Sequence, residues 1–377
     1  MLRDAVAVID IGSSKISGVI GENGINKNYV IHAHSELPTL SLANEPGVID
    51  RPEEFRRVIS DVLSTIRSSA RANVGKVYFS VPGDFLEIRN KYLQMYLNRS
   101  KKLRASDVND YLLTAKKSIA VSGYDYIASS GVQYFLDGKK KVTRLTGNVT
   151  SSIDGLTSFY FAKQRFTETV KEVLGTAGVK EVVFVPVPLA ESLLLFNEAE
   201  RFGFQILLDV GESVTTLSII YGDGVLFNKS FDVGGGHISG ILNNNLKLHD
   251  YELAKKIKRK LNLTLPHEYN GIYEVASGEK VYRFDQRKCN EAAEYVITEL
   301  AAYIDDALKE SDARIPPGLN ISLTGGGISY MRGAKELLFN AIEIPINIVY
   351  PKVSYLSKPE ETSKIAVLDY ALNYKGV

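Results

Sequence analysis

A single cysteine, Cys289, stands in 377 residues. One thiol cannot close an intrachain disulfide, and a cysteine-based zinc site goes with it. Cys289 reads as a small buried apolar side chain. Charge of one sign is equally scarce. Lys and Arg number 45 against 44 Asp and Glu, a formal net charge of +1. No overall field favours a polyanion, so no nucleic-acid partner is expected. No uninterrupted apolar run approaches the roughly 18 residues of a membrane-spanning helix. The opening Met1-Leu2-Arg3-Asp4-Ala5 lacks the apolar region and cleavage site of a secretory signal. The expectation is a cytoplasmic protein whose membrane contact is peripheral or made through a partner.

What is present suits a two-domain α/β protein: 45% hydrophobic and 24% charged residues, in a chain too long for one core. Ala5 to Ile9 is an apolar run that breaks at Asp10-Ile11-Gly12-Ser13-Ser14 and resumes from Ile16 to Ile20, the pattern of strand, turn, strand. A third strand is expected at Tyr29 to His34. A helix follows from about Pro52, with Asp50 as cap and Phe55, Val58, Ile59, Val62, Leu63 and Ile66 on one face. Lys76 to Val81 is the next strand, ended by Pro82-Gly83.

From Phe85 the character changes. Residues 86–98 look extended and carry tyrosines. Ser106-Asp107 is expected to cap a helix bearing Val108, Tyr111, Leu112, Ala115 and Ile119. Strands at 130–136 and 154–162 flank the basic turn Gly138-Lys139-Lys140-Lys141, which reads as a solvated hairpin tip. Residues 83–163 form an expected inserted subdomain. A helix from Phe166 to Gly175, a strand from Glu181 to Val185 and a helix from about Pro188 to Arg201 come next.

The opening theme then returns. Gln205 to Leu208 is a strand, Asp209-Val210-Gly211-Glu212-Ser213 a turn, and Thr216 to Tyr221 a strand leading through Gly222-Asp223-Gly224 into Val225 to Asp232. Helical patterns cover Tyr251 to Leu261 and Asn290 to Lys309. A strand at Asn320 to Thr324 ends in Gly325-Gly326-Gly327, and a strand at Ile346 to Val349 and a helix from Pro359 to Asn373 follow.

Each copy of the theme has an apolar strand, an Asp at its end, a Gly two residues later and a Ser two after that. Duplication across half the chain predicts two related domains facing one another. A tight turn between strands directs successive backbone N–H groups at one point, a nest suited to phosphate. Gly12 and Gly211 allow close approach, Ser13, Ser14 and Ser213 add hydroxyls, and Lys15 adds a point charge. Asp10 and Asp209 suit a Mg²⁺ ion held through water, and they are the candidate metal and catalytic residues. Gly325, Gly326 and Gly327 fit a backbone surface for a flat ring or sugar. Gly234-Gly235-Gly236 reads either as a hinge or as a phosphate approach, so Gly235 and Gly236 join the candidate contacts.

Val6 to Lys15, Asp209-Val210-Gly211 with Thr215-Thr216, and Leu323 to Gly327 resemble the first phosphate, second phosphate and adenosine motifs of the actin, Hsp70 and sugar-kinase superfamily. Pro188 to Ser192 and Ile365 to Ala371 are similar to its two connecting helices. The insertion at 83–163 resembles that of the FtsA family in particular. The resemblance implies an actin-like ATPase fold, two ribonuclease-H-like domains around a nucleotide cleft, with an FtsA-type inserted subdomain. It divides the chain at 1–82, 83–163, 164–196, 197–242, 243–312, 313–358 and 359–377. It implies binding of ATP or ADP with Mg²⁺, Thr215 and Lys258 among the contacts, self-association into filaments, and FtsZ and other division proteins as partners. The implied place is the inner face of the cell membrane at the division site.

Three departures temper that expectation. Glu212 and Val214 stand in the second phosphate turn where relatives carry small residues. The segment Val185-Pro186-Val187 is apolar where relatives place a polar residue to orient water; Glu191 is the nearest substitute but reads as a solvated helix residue. Lys255 stands where relatives have a ribose-contacting Glu. Slow or absent hydrolysis is therefore expected. The chain ends at Lys375-Gly376-Val377 without the linker and amphipathic helix of that family, so a membrane link is expected through a missing helix or a partner. A PilM-like adaptor of type IV pilus assembly is the alternative reading. A sugar-kinase-type phosphotransferase is a further one, and it lacks a visible general base.

Overall fold

Two strand–turn–strand units organise the molecule. The computed structural model describes residues 4–39, 49, 51–116, 118–265, 271–311 and 315–374. The first unit is β1 (Val6–Ile11) and β2 (Lys15–Asn23), followed by β3 (Tyr29–Pro38), α1 (Pro52–Ala70) and β4 (Lys76–Val81). The insertion comprises β5 (Leu86–Lys102), α2 (Ala105–Lys116), β6 (Tyr124–Leu136), β7 (Lys140–Val142) and β8 (Val149–Lys163). The first half is completed by α3 (Gln164–Thr176), β9 (Glu181–Pro186), α4 (Val187–Leu195) and α5 (Glu198–Arg201). The second half holds β10 (Gln205–Val210), β11 (Thr215–Tyr221), β12 (Gly224–Phe231), α6 (Gly235–Asn245), α7 (Tyr251–Lys258), β13 (Ile272–Ser277), β14 (Lys280–Asp285), α8 (Gln286–Glu310), β15 (Ile321–Thr324), α9 (Ala334–Ile342) and β16 (Ile346–Ile348). Helix α10 (Thr362–Asn373) returns to the first half.

The duplication read from the sequence is a duplication of topology. One five-stranded sheet runs β3-β2-β1-β4-β9 and the other β12-β11-β10-β15-β16. In each, the first two strands pair antiparallel, Asp10 opposite Ser17 in one and Asp209 opposite Thr216 in the other. The following strands pair parallel. The six apolar residues assigned to one face of α1 are its six buried residues. Each contributes on the order of 1.5–3 kcal/mol by leaving water. Glu53 and Glu54 in its first turn complement the helix dipole. Asp50 lies outside the described residues, and Arg51 precedes the helix without a side-chain cap.

Helices α4 and α10 pack together and against the first sheet, with Val8, Val185, Ala190, Ile365 and Leu368 in one cluster. Among the described residues, no helix is long and apolar enough to cross a membrane.

Local expectations were displaced at four places. The helix from Pro188 does not run to Arg201. It stops at Leu195, and α5 restarts after Asn197, whose side chain accepts from Glu200 N while Glu200 accepts from Asn197 N. That reciprocal capping box ends one helix and opens another. Gly235 and Gly236 form the first turn of α6 rather than a loop. The β13–β14 hairpin, turning at Gly278 with φ of 61°, carried too little periodicity to be read. Helix α2 begins at Ala105, so Ser106 and Asp107 lie inside its first turn instead of capping it.

The inserted sheet, ordered β5-β8-β6-β7, touches both halves. The β11–β12 turn docks on it: Asp223 N donates to Gly131 O at 2.9 Å, Asn90 Nδ2 to Leu226 O at 2.7 Å, and Ser158 Oγ to Val225 O at 3.0 Å. A buried ion pair locks this turn. Arg201 Nε reaches Asp223 Oδ1 at 2.9 Å and Nη2 reaches it at 2.8 Å, while Nη1 donates to Phe196 O. Gly222 has φ of +63° and faces the Val132 carbonyl at a spacing no Cβ would tolerate. Removing one partner of a buried pair strands the other charge. Asp223→Ala is therefore expected to cost about 3–5 kcal/mol in urea unfolding; a loss under about 1 kcal/mol would mean that the joint carries no structural weight.

Candidate functional site

The cleft between the halves holds a cavity of about 880 Å³, large enough for a nucleotide-sized ligand. Both turns open onto it. In the first, Gly12 N donates to Lys15 O at 2.9 Å, and in the second Gly211 N donates to Val214 O at the same distance. The turns meet directly across the cleft, where Ser213 N donates to Ser13 Oγ at 3.0 Å. Asp10, Gly12, Ser13, Ser14, Lys15, Asp209, Gly211, Ser213, Lys258, Gly325 and Gly326 all line the cavity.

Four predicted contacts sit behind the wall. Thr215 is buried with its hydroxyl donating to Val233 O at 2.6 Å. Gly235 N donates to Gly211 O, Gly236 N to Glu212 O and Gly327 N to Val210 O. These glycine amides hold the second turn in place instead of facing the cavity. Their small size is what lets the α6 N-terminus and the 325–327 loop approach: a Cβ on Gly234 or Gly236 would sit 2.7 Å from Glu212 O.

Asp10 and Asp209 end the central strand of each sheet and face each other across the cavity floor. Ser363 Oγ at the start of α10 donates to Asp10 Oδ1 at 2.6 Å. Burial raises the Asp10 carboxyl above its ordinary range, with the Ser363 hydrogen bond and Lys364 opposing. Burial, and after it the Asp10 charge, push Asp209 up to about 7.

Glu191 joins them, and this corrects its assignment as a solvated helix residue. It is 2% exposed and lines the cavity. Its Oε1 has no hydrogen-bond partner. Burial, then Asp209, then Asp10 raise its pKa well above the usual range. A signal was present: Glu191 is the only charged residue from Val182 to Phe196. A helix apolar all round is a buried helix, so a lone carboxylate on it is enclosed too.

Among the described residues, no three His, Cys, Asp or Glu side chains are close enough to ligate one ion directly. The donor set is nonetheless hard oxygen, and one atom of it is unpartnered. Those features fit Mg²⁺ retaining its waters, with Asp10, Asp209 and Glu191 as the residues that would hold it.

Three of the five cations of the wall, Lys15, Lys255 and Lys258, are engaged in ion pairs. Lys15 Nζ lies 2.9 Å from Glu36 Oε2. Glu36 and Glu361 also bind the Nζ of Lys364, itself 2% exposed, which contacts His34 Nε2 at 2.9 Å. Lys258 Nζ lies 3.1 Å from Glu212 Oε2 and 3.0 Å from Gly235 O. Burial lowers its pKa and Glu212 opposes the shift. Tyr251 donates to Glu212 Oε1 at 3.3 Å. Glu212 is thus neutralised in place. Lys255 pairs with Glu252 at 3.0 Å and rests over the Tyr251 ring. Eight carboxylates against five cations line the cavity. A polyanion entering alone would meet net repulsion, which a divalent cation relieves.

No protein-family model matches the chain. It is similar to the cell division protein FtsA of Enterococcus hirae, 21% identical over 98% of this chain and 83% of that one. The FtsA of Staphylococcus epidermidis strain ATCC 12228 is 20% identical over 97% of this chain and 78% of that one. Among solved structures, the PilM-PilN type IV pilus biogenesis complex superposes with a TM-score of 0.63 at 18% identity, covering 96% of this chain and 97% of that one. MreB5 of Spiroplasma citri bound to ADP gives 0.58 at 12% identity over 98% and 96%. The chain has the actin-like ATPase fold, and along nearly all of its length it is similar to FtsA proteins.

Proposed function

We propose that the chain is an actin-like nucleotide-binding adaptor of bacterial cell division. In this reading it binds ATP or ADP with Mg²⁺ in the cleft, hydrolyses ATP slowly or not at all, and links FtsZ filaments to the membrane and other division proteins while associating with itself. Its place is the cytoplasmic face of the membrane at the division site. The observation that carries the division role is the similarity to FtsA along 96–98% of the chain in several organisms. Paired turns meeting over one cavity, with glycines at the base of its far wall, support the nucleotide. A magnesium ion held there would offset phosphate charge, and Ser363 keeps Asp10 oriented toward it. Pilus assembly is the second reading, favoured by the end-to-end superposition on the PilM-PilN complex.

Binding of a fluorescent ATP analogue with magnesium tests the cleft. Micromolar binding is expected, lost in Asp10→Ala and in Gly326→Trp, whose Cβ would already lie 3.0 Å from Glu360 Cβ. Unchanged binding in both variants would sink the nucleotide reading. Co-pelleting with FtsZ filaments then separates the two roles: retention supports division, and its absence beside capture of a pilus membrane protein's N-terminal peptide supports the alternative.

The carboxylates give a pH test with a definite sign. Asp209 has a folded pKa of about 7, against about 3.9 unfolded. Between those values the folded chain binds the extra proton, so stability is greatest at acidic pH and falls as pH rises toward 7. Without nucleotide, Asp209→Asn is expected to melt higher than the parent at pH 7.5, with the gap much narrower at pH 5 and closing only near pH 4. An equal gap at both pH values would contradict the enclosed-carboxylate account.

A further inference from the structure

The balanced charge of the whole chain conceals a polarised surface at the far end of the insertion. Lys101 pairs with Thr150 and Lys102 with Val149, so the exit of β5 lies beside the start of β8. Leu103 N donates to Asn148 O, and Lys140 Nζ reaches Asn148 Oδ1 at 2.8 Å. The turn leading into β7 therefore stands against the end of β5. Arg99, Lys101, Lys102, Arg104, Lys139 and Lys140 are all exposed there. Only two carboxylates lie among them, and both are engaged. Asp107 binds Lys101 Nζ and Arg104 N. Asp137 accepts from Ser151, Thr150 and Ser152, which holds its carboxyl down at about 2. Six cations and two anions leave this tip at +4, so with +1 overall the rest of the chain is net acidic.

Apolar groups are interleaved with the cations: Val149 is 63% exposed and Tyr96 73%. None of the six cations lines the cleft. The tip is the end of a four-stranded sheet, about 14 Å across, with turns and long flexible stems. Its edge strand β5 is irregular between Tyr96 and Lys101, and a bulged, lysine-bearing edge resists addition of a peptide strand. Such a surface offers an acidic peptide no backbone pairing. It matches a plane of negative charge, where lysine and arginine stems lie along the apolar boundary and aromatic rings sit at headgroup depth.

We propose that this end of the inserted sheet is a direct contact surface for an anionic lipid bilayer. The contact is independent of the nucleotide cleft and requires no partner protein. Its strength comes from charge, so it weakens with salt.

The test uses the full chain, sedimented with phosphatidylcholine vesicles and with vesicles containing phosphatidylglycerol, at low and at physiological salt. Binding is expected only to the anionic vesicles and is expected to fall as salt rises. The double substitution Lys102→Gln with Lys139→Gln removes two charges that make no ion pair among the described residues. It should weaken binding on the order of 30-fold, taking about fivefold per charge. Lys335→Gln with Lys352→Gln, exposed lysines on the second half, should change binding by less than about twofold on the same per-charge scale. Equal binding to both vesicle types, or equal loss in the two double variants, overturns the proposal. So does loss of poly-glutamate binding in the tip variant with vesicle binding intact, which would assign the tip to an acidic protein segment. Matching melting curves for the tip variant and the parent exclude misfolding as the cause of any loss.

Discussion

Three carboxylates share one enclosed floor, and the rest of the site is arranged around their charge. Asp10 and Asp209 arrive on the central strands of two sheets, and Glu191 arrives on a helix buried between elements. Burial alone would drive all three toward the neutral acid; the Asp10 charge raises Asp209 further, and Asp209 and Asp10 together raise Glu191. The surrounding ion pairs respond to the same constraint. Lys364 and Lys15 neutralise Glu36 and Glu361 on one wall, and Lys258 neutralises Glu212 on the other. Without these pairs, the cavity would carry more repulsion than a folded chain readily tolerates.

The second constraint is mechanical. The insertion rests on the first half in sequence but is pinned to the second by hydrogen bonds to the β11–β12 turn and the β12 backbone, and the Arg201–Asp223 pair holds that turn from α5. The cleft is also bridged at its floor by the contact of Ser13 with Ser213. The inserted sheet is thus joined to the second half through hydrogen-bonded, packed structure rather than through a flexible tether.

Much of this was readable beforehand, for identifiable reasons. The strand–turn–strand repeat survived because strand periodicity and turn chemistry are local signals. The face of α1 followed from 3.6-residue spacing. The break after Leu195 was missed because the capping box at Asn197 and Glu200 competed with a continuous apolar pattern. The β13–β14 hairpin was missed because Ile272, Val281 and Tyr282 face outward beside the buried Tyr273 and Val275, so apolar residues occupy both faces and the alternation is blurred. The basic run at 138–141 read as a solvated hairpin tip, whereas its Lys140 and Lys141 open β7 and its partners Arg99, Lys102 and Arg104 lie almost forty residues earlier. Only β5–β8 pairing brings them together.

The sequence by itself determined the two matched turns, the aspartates at their strand ends and the duplicated half-domains, because each depends on residues within about ten positions. Tertiary structure decided which of the predicted residues face the cavity and which brace it. Gly235, Gly236 and Gly327 went to bracing because their amides donate to the back of the second turn, and Thr215 because its buried hydroxyl donates to Val233 O. It also placed Glu191 beside Asp209, and Glu212 against Lys258 and away from repulsion. Charge burial and pairing are sums over neighbours distant in the chain, and no local pattern contains them.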